Sequence, residues 1–116
     1  MYATIQNRKD EILNGVPDLA TMQAAVGGLI ETALRIPTDR RNITVNVYCN
    51  EEGLLLGLPI QFTRTTDGSY LAGDFVIVGA DESTGETVGL TTEEIGLTFE
   101  YLKELSKDVD PADLGW

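Results

Sequence analysis

The period of the hydrophobic positions changes several times along this 116-residue chain. Residues 2–6 read as a first strand, 7–10 as a turn, and 11–14 as a short second strand closed by Asn14-Gly15, a strong turn dipeptide. Leu19, Met22 and Val26 then recur at helical spacing behind Asp18, a good N-cap, and ahead of Gly27-Gly28, which stops the helix. Gly28 is expected to take the left-handed conformation there, and Gly53 at a later turn. Residues 29–34 form a strand, and 37–42 a polar loop carrying Arg40 and Arg41. Residues 43–49 alternate cleanly, with Ile43, Val45 and Val47 on one side and Thr44, Asn46 and Tyr48 on the other.

Beyond the turn Asn50-Glu51-Glu52-Gly53, residues 54–56 are expected to pair back as a hairpin that Gly57-Leu58-Pro59 breaks. Residues 63–69 form a polar loop. Residues 70–72 lead through Gly73 into a strand at 74–78, and 79–87 are read as a loop. Thr91-Thr92-Glu93-Glu94 has the form of a capping box, so the last helix starts there. Ile95, Phe99, Leu102 and Leu105, joined by Tyr101, form its apolar face.

Clustered strands with one short and one longer helix predict a single α+β domain. Its sheet is mixed or mostly antiparallel, with both helices packed on one face. The domain spans residues 1–107, and 108–116 form an acidic C-terminal tail that ends in Leu114, Gly115 and the only Trp, Trp116.

Charge narrows the function. Eight Lys and Arg face nineteen Asp and Glu, a net of −11. Residues 81–116 hold ten acids against Lys103 and Lys107, a net of −8. Such a surface repels phosphate backbones and anionic membranes, and it attracts basic partners. Direct nucleic-acid and membrane contact are therefore not expected. A single cysteine, Cys49, makes no internal disulfide, and residues 1–10 carry no apolar signal core, so the expected location is cytoplasmic.

The usual catalytic and metal-binding sets are missing. The chain has no histidine, the commonest general base and zinc ligand. Cys49 has Glu51 and Glu52 as sequence neighbours, which disfavour a thiolate, so it reads as structural. Asp81 and Ser83 fit the start of a calcium loop, but Gly85, Glu86 and Thr92 stand where a ligand, a glycine and a glutamate are required. That loop reads as a solvated turn. No catalytic residue, metal ligand or cofactor is therefore assigned, and the expectation is a protein that is not an enzyme.

Three segments together resemble a known family. They are Val26-Gly27-Gly28-Leu29-Ile30-Glu31, then Tyr48-Cys49-Asn50-Glu51-Glu52-Gly53 followed by Gly57-Leu58-Pro59, then Asp74-Phe75-Val76-Ile77-Val78-Gly79. Their order and spacing are similar to the domain-of-unknown-function family numbered 3846, carried by phages and plasmids. The resemblance runs from about residue 18 to 92. It departs at Ile60-Gln61, where family members often carry a Pro-Asn step. It implies a cytoplasmic protein of a mobile element and supplies no activity or catalytic residue.

Two surfaces are candidate partner sites. At 100° per residue, Glu93, Glu100 and Glu104 fall within about 40° of one line on the last helix, spaced roughly 10 and 6 Å apart. Lys103 and Lys107 flank them at pairing distance along the helix. An ordinary solvated face would look the same. Glu51 and Glu52 form a second acidic tip, which turn chemistry alone also explains. The expected function is that of a non-catalytic accessory protein binding a basic surface of a host protein, as an inhibitor of a nucleic-acid-handling defence system of the anti-CRISPR or anti-restriction type would. The alternative is a small-molecule or nucleotide-sequestering protein, with a pocket near Gly27-Gly28 and Asn50, or one holding Arg40, Arg41 or Arg64. A third possibility is an assembly subunit with a large apolar face.

Overall fold

A computed structural model describes residues 1–7, 9–52, 60–63 and 70–106. The elements run β1 (Tyr2–Gln6), β2 (Lys9–Leu13), α1 (Leu19–Val26), β3 (Ile30–Pro37), β4 (Ile43–Asn50), β5 (Ile60–Thr63), β6 (Tyr70–Ala72), β7 (Phe75–Asp81), β8 (Thr87–Val88) and α2 (Thr92–Ser106). The main sheet is antiparallel, in the order β2-β1-β7-β4-β3, with β8 added beside β7. The strands β5 and β6 pair separately, with β5 alongside α2. The fold is thus α+β, as the pattern predicts.

The helices do not share a face. Phe75 and Ile77 of β7 point into a core with Ala3, Ile5, Val45, Val47, Ile95, Leu102 and Leu105, so α2 covers that side. Val76 and Val78 point the other way, against Met22 and Val26 of α1. The expectation of one helical layer is corrected here, and β7 carries the reason. Phe75-Val76-Ile77-Val78 is apolar at every position, so both faces of the central strand must be covered.

Local chemistry sets the element ends. Asp18 caps α1 by accepting a bond from the Thr21 amide at 2.8 Å. The left-handed residue is Gly27, at φ 78°, and not Gly28. Gly28 is small for another reason: a Cβ there would meet Nδ2 of Asn50 at 2.8 Å. Asn50 is buried, donates to the Val26 carbonyl at 3.2 Å and accepts from the Glu52 amide at 2.8 Å. It ties the end of α1 to the end of β4.

Other boundaries move. The strand β2 begins at Lys9, which pairs with Gln6, and Asn7 after β1 takes φ 50°. The strand β3 extends to Pro37 and contains a bulge between Thr32 and Leu34 that breaks its alternation. The segment read as a loop after Val78 continues β7 to Asp81 and returns as β8. The strand β5 is an element that the hydrophobic pattern does not predict. The hairpin at 54–56, the Gly57-Leu58-Pro59 break, Gly53, Arg64 and the 108–116 tail lie outside the described residues.

Candidate functional site

The site begins at the β3–β4 turn. The Thr38 hydroxyl donates to the Ile43 carbonyl at 2.7 Å and accepts from the Arg40 amide at 3.1 Å, while the Ile43 amide reaches the Arg40 carbonyl at 3.1 Å. These bonds fix the turn and send the Arg40 side chain across to α2. Its Nε and Nη2 donate to the two carboxylate oxygens of Glu94 at 3.0 and 2.8 Å, and Nη2 also reaches the Gly89 carbonyl at 3.0 Å. A planar fork on a carboxylate is the strong form of this contact.

Glu94 also completes the capping box. The Thr91 hydroxyl accepts from the Glu94 amide at 3.1 Å, and the Thr91 amide donates to Glu94 Oε1 at 2.8 Å. Burial pushes the Glu94 carboxyl up, but the bonds from Arg40 and Thr91 and the Arg40 charge outweigh it, and the net shift is downward. A carboxyl whose folded pKa is depressed stabilises the fold above its unfolded pKa, near 4.5 here. That stability is lost as pH falls through the folded value. Glu94→Gln should therefore lower stability at pH 7 by about 1 kcal/mol, since the Arg40 guanidinium is partly in solvent. It should also flatten the loss of stability as pH falls below about 4.5, read by urea midpoints across pH. Equal acid sensitivity of both proteins would show that Glu94 does not carry the linkage.

Between the β3–β4 turn and α2 lies a cleft of about 400 Å³. Ile36 and Pro37 form one wall, Leu97 and Tyr101 the other, with Asp39 and Glu93 among its charged lining. Leu97 is 58% exposed and Tyr101 37% exposed, while Ile95, Leu102 and Leu105 on the same helix are buried. Tyr101 thus leaves the inner face to which its spacing assigned it, and Thr98 is buried instead, donating to the Glu94 carbonyl at 2.8 Å.

The three stripe glutamates Glu93, Glu100 and Glu104 are all exposed on the outer side of α2. Leu97 falls about 40° from the Glu93 direction and Tyr101 about 80°, so the stripe borders the cleft and Leu97 sits between its charges. Glu51 and Glu52 are exposed as well, but at the opposite end of β4, about 20 Å along the strand from the cleft residue Val45. They form a separate tip held by Asn50 and by a 3.0 Å bond from the Glu51 amide to the Leu29 carbonyl. Leu97 was legible as out of phase, an apolar residue on the acidic line. Ile36 and Pro37 gave no such signal.

Arg40 lines the cleft, but Glu94 balances its charge, so it is poorly placed to attract an anionic ligand. Cys49 is buried, with its thiol 3.7 Å from a Glu31 carboxylate oxygen. Among the described residues no group of three or more Cys, Asp and Glu could hold a metal ion. Asp81 accepts from the Ser83 amide and hydroxyl at 2.9 and 2.6 Å, which closes a tight turn. These two bonds hold its carboxyl below the usual range.

Fold and site together define a small antiparallel α+β domain that carries an acidic helix face beside an apolar cleft. The family model described as domain of unknown function DUF3846 matches residues 3–106, and the chain belongs to that family. No curated protein and no solved structure matches it. No helix among the described residues is long and apolar enough to cross a membrane.

Proposed function

We propose that this protein is a non-catalytic binding module whose working surface is the outer face of α2 with the adjoining cleft. The observation that supports it most is the exposure of Leu97 and Tyr101 among Glu93, Glu100 and Glu104. An apolar anchor with an aromatic neighbour and a charged rim is the composition of a protein interface. A run of phosphates would lack the leucine. The partner presents a basic surface, which the −11 chain attracts over a distance.

The finer reading is that the chain belongs to a phage or other mobile element. Its partner is then a cytoplasmic host protein that handles nucleic acid, such as a defence enzyme. Surfaces that bind phosphate backbones are basic, so an acidic protein seated there would block them. The resemblance to a phage- and plasmid-borne family supports this reading.

The test is site-specific photo-crosslinking in lysate of the cell that carries the gene. A photoreactive residue at Leu97 or Tyr101 should give one discrete protein adduct that weakens as salt rises. The same residue at Glu11, on β2, should give none. Equal adducts from Glu11 and Leu97, or none from Leu97 and Tyr101, would remove the α2 surface as the working site.

A further inference from the structure

We propose that the cleft between α2 and the β3–β4 turn is the seat of an arginine side chain from the protein partner. The proposal rests on the binding-module reading and adds the chemistry of the anchor. Four charged residues line the cleft, Asp39, Arg40, Glu93 and Glu94. Arg40 and Glu94 neutralise each other at 2.8 Å. Asp39 and Glu93 have no ion pair among the described residues, so the cleft carries an excess of two negative charges. Its walls are apolar, from Ile36, Pro37 and Leu97, and Tyr101 is partly open to solvent beside them.

An occupant must therefore combine an apolar stem with a cationic head. Lysine and arginine both do so. Arginine fits better because its planar head stacks on an aromatic face and forks to carboxylates, and because it is more weakly hydrated than an ammonium. The two carboxylates come from different elements, Asp39 from the turn and Glu93 from the helix, and a forked donor can pair with either. A purely apolar occupant would leave both carboxylates beside a desolvated surface without a partner. The volume, about 400 Å³, leaves room for the arginine together with an adjacent residue of the partner.

The direct test titrates N-acetyl-arginine N-methylamide into the labelled protein and follows amide shifts by NMR. Saturable shifts are expected at Asp39, Glu93, Leu97 and Tyr101, with millimolar affinity. The neutral citrulline counterpart should leave these amides unmoved, and the lysine counterpart should bind several-fold more weakly. The double variant Asp39→Asn with Glu93→Gln should weaken the arginine probe at least about tenfold, while Asp10→Asn with Glu11→Gln should not. Shifts spread over all acidic surfaces, or lysine binding as tightly as arginine, would overturn the proposal.

A second arm ties the site to the partner. Saturating arginine probe should lower the Leu97 crosslink yield at least about threefold. An undiminished adduct with the cleft saturated would mean that the partner uses the stripe without an arginine anchor. That outcome overturns this inference and leaves the binding-module reading standing. Loss of the adduct from the unprobed protein would instead remove the binding-module reading itself.

Discussion

Reversing Glu93, Glu100 and Glu104 together to Lys is expected to slow association with the partner by about 10- to 1000-fold at low salt. The effect should fall on the association rate more than on dissociation, and it should shrink as ionic strength rises. Folding should barely change, because all three side chains are exposed on α2 and such charges contribute little to stability. A control must remove equal charge elsewhere. Asp81 and Glu82 are unsuitable for it. Asp81 closes its turn through Ser83, and Glu82 accepts from the Thr44 hydroxyl at 2.7 Å and lies 3.7 Å from Arg35. Asp10, Glu11 and Glu86 are exposed and serve instead. Stopped-flow association of both triple variants decides the matter. Equal slowing would assign the effect to bulk charge, and unchanged rates in both would exclude an acidic working surface.

Two leucines five positions apart on α2 should behave in opposite ways. Leu102→Ala is expected to cost about 2–5 kcal/mol, because Leu102 is 2% exposed and packs into the core with Phe75 and Ile77. Leu97→Ala should change stability by less than about 0.5 kcal/mol, since Leu97 is mostly in solvent and Ala is the better helix former. It should nevertheless weaken partner binding by about tenfold, through loss of the apolar anchor. Urea unfolding and a binding titration on the two variants separate the faces of the helix. Comparable destabilisation by both would mean that Leu97 is packed and that the cleft is closed in solution. A marginal reserve of about 5–15 kcal/mol makes the Leu102 change close to disabling, so its unfolding midpoint is the cleaner readout.

Much of the architecture was legible because it is written in local chemistry. Asp18 and Gly27 delimit α1, and Thr91 with Glu94 starts α2, since caps act through hydrogen bonds a few residues long. The alternation of Ile43, Val45 and Val47 against Thr44, Asn46 and Tyr48 assigns the two faces of β4 without any tertiary information. The exposed acidic line on α2 follows from helical periodicity alone. The family resemblance, too, needed only sequence.

What local chemistry could not decide is which surfaces meet. The two helices sit on opposite sides because β7 is central and apolar on both faces, and its central place follows from long-range pairing with β1 and β4. Gly28 carries no positive φ. Its role depends on Asn50, twenty-two positions away, approaching it. The bulge in β3 hid that strand's length, because one inserted residue inverts the alternation on which strand reading depends. The cleft is the clearest case. Arg40 and Glu94 are fifty-four positions apart, and their contact sets the β3–β4 turn against α2 and cancels one charge of each sign. Leu97 and Tyr101 then stand beside Ile36 and Pro37, where a sequence shows only a stray leucine on a polar line. Capping and periodicity are settled within a few residues, whereas a site walled by a helix and a distant turn exists only once the chain between them has folded.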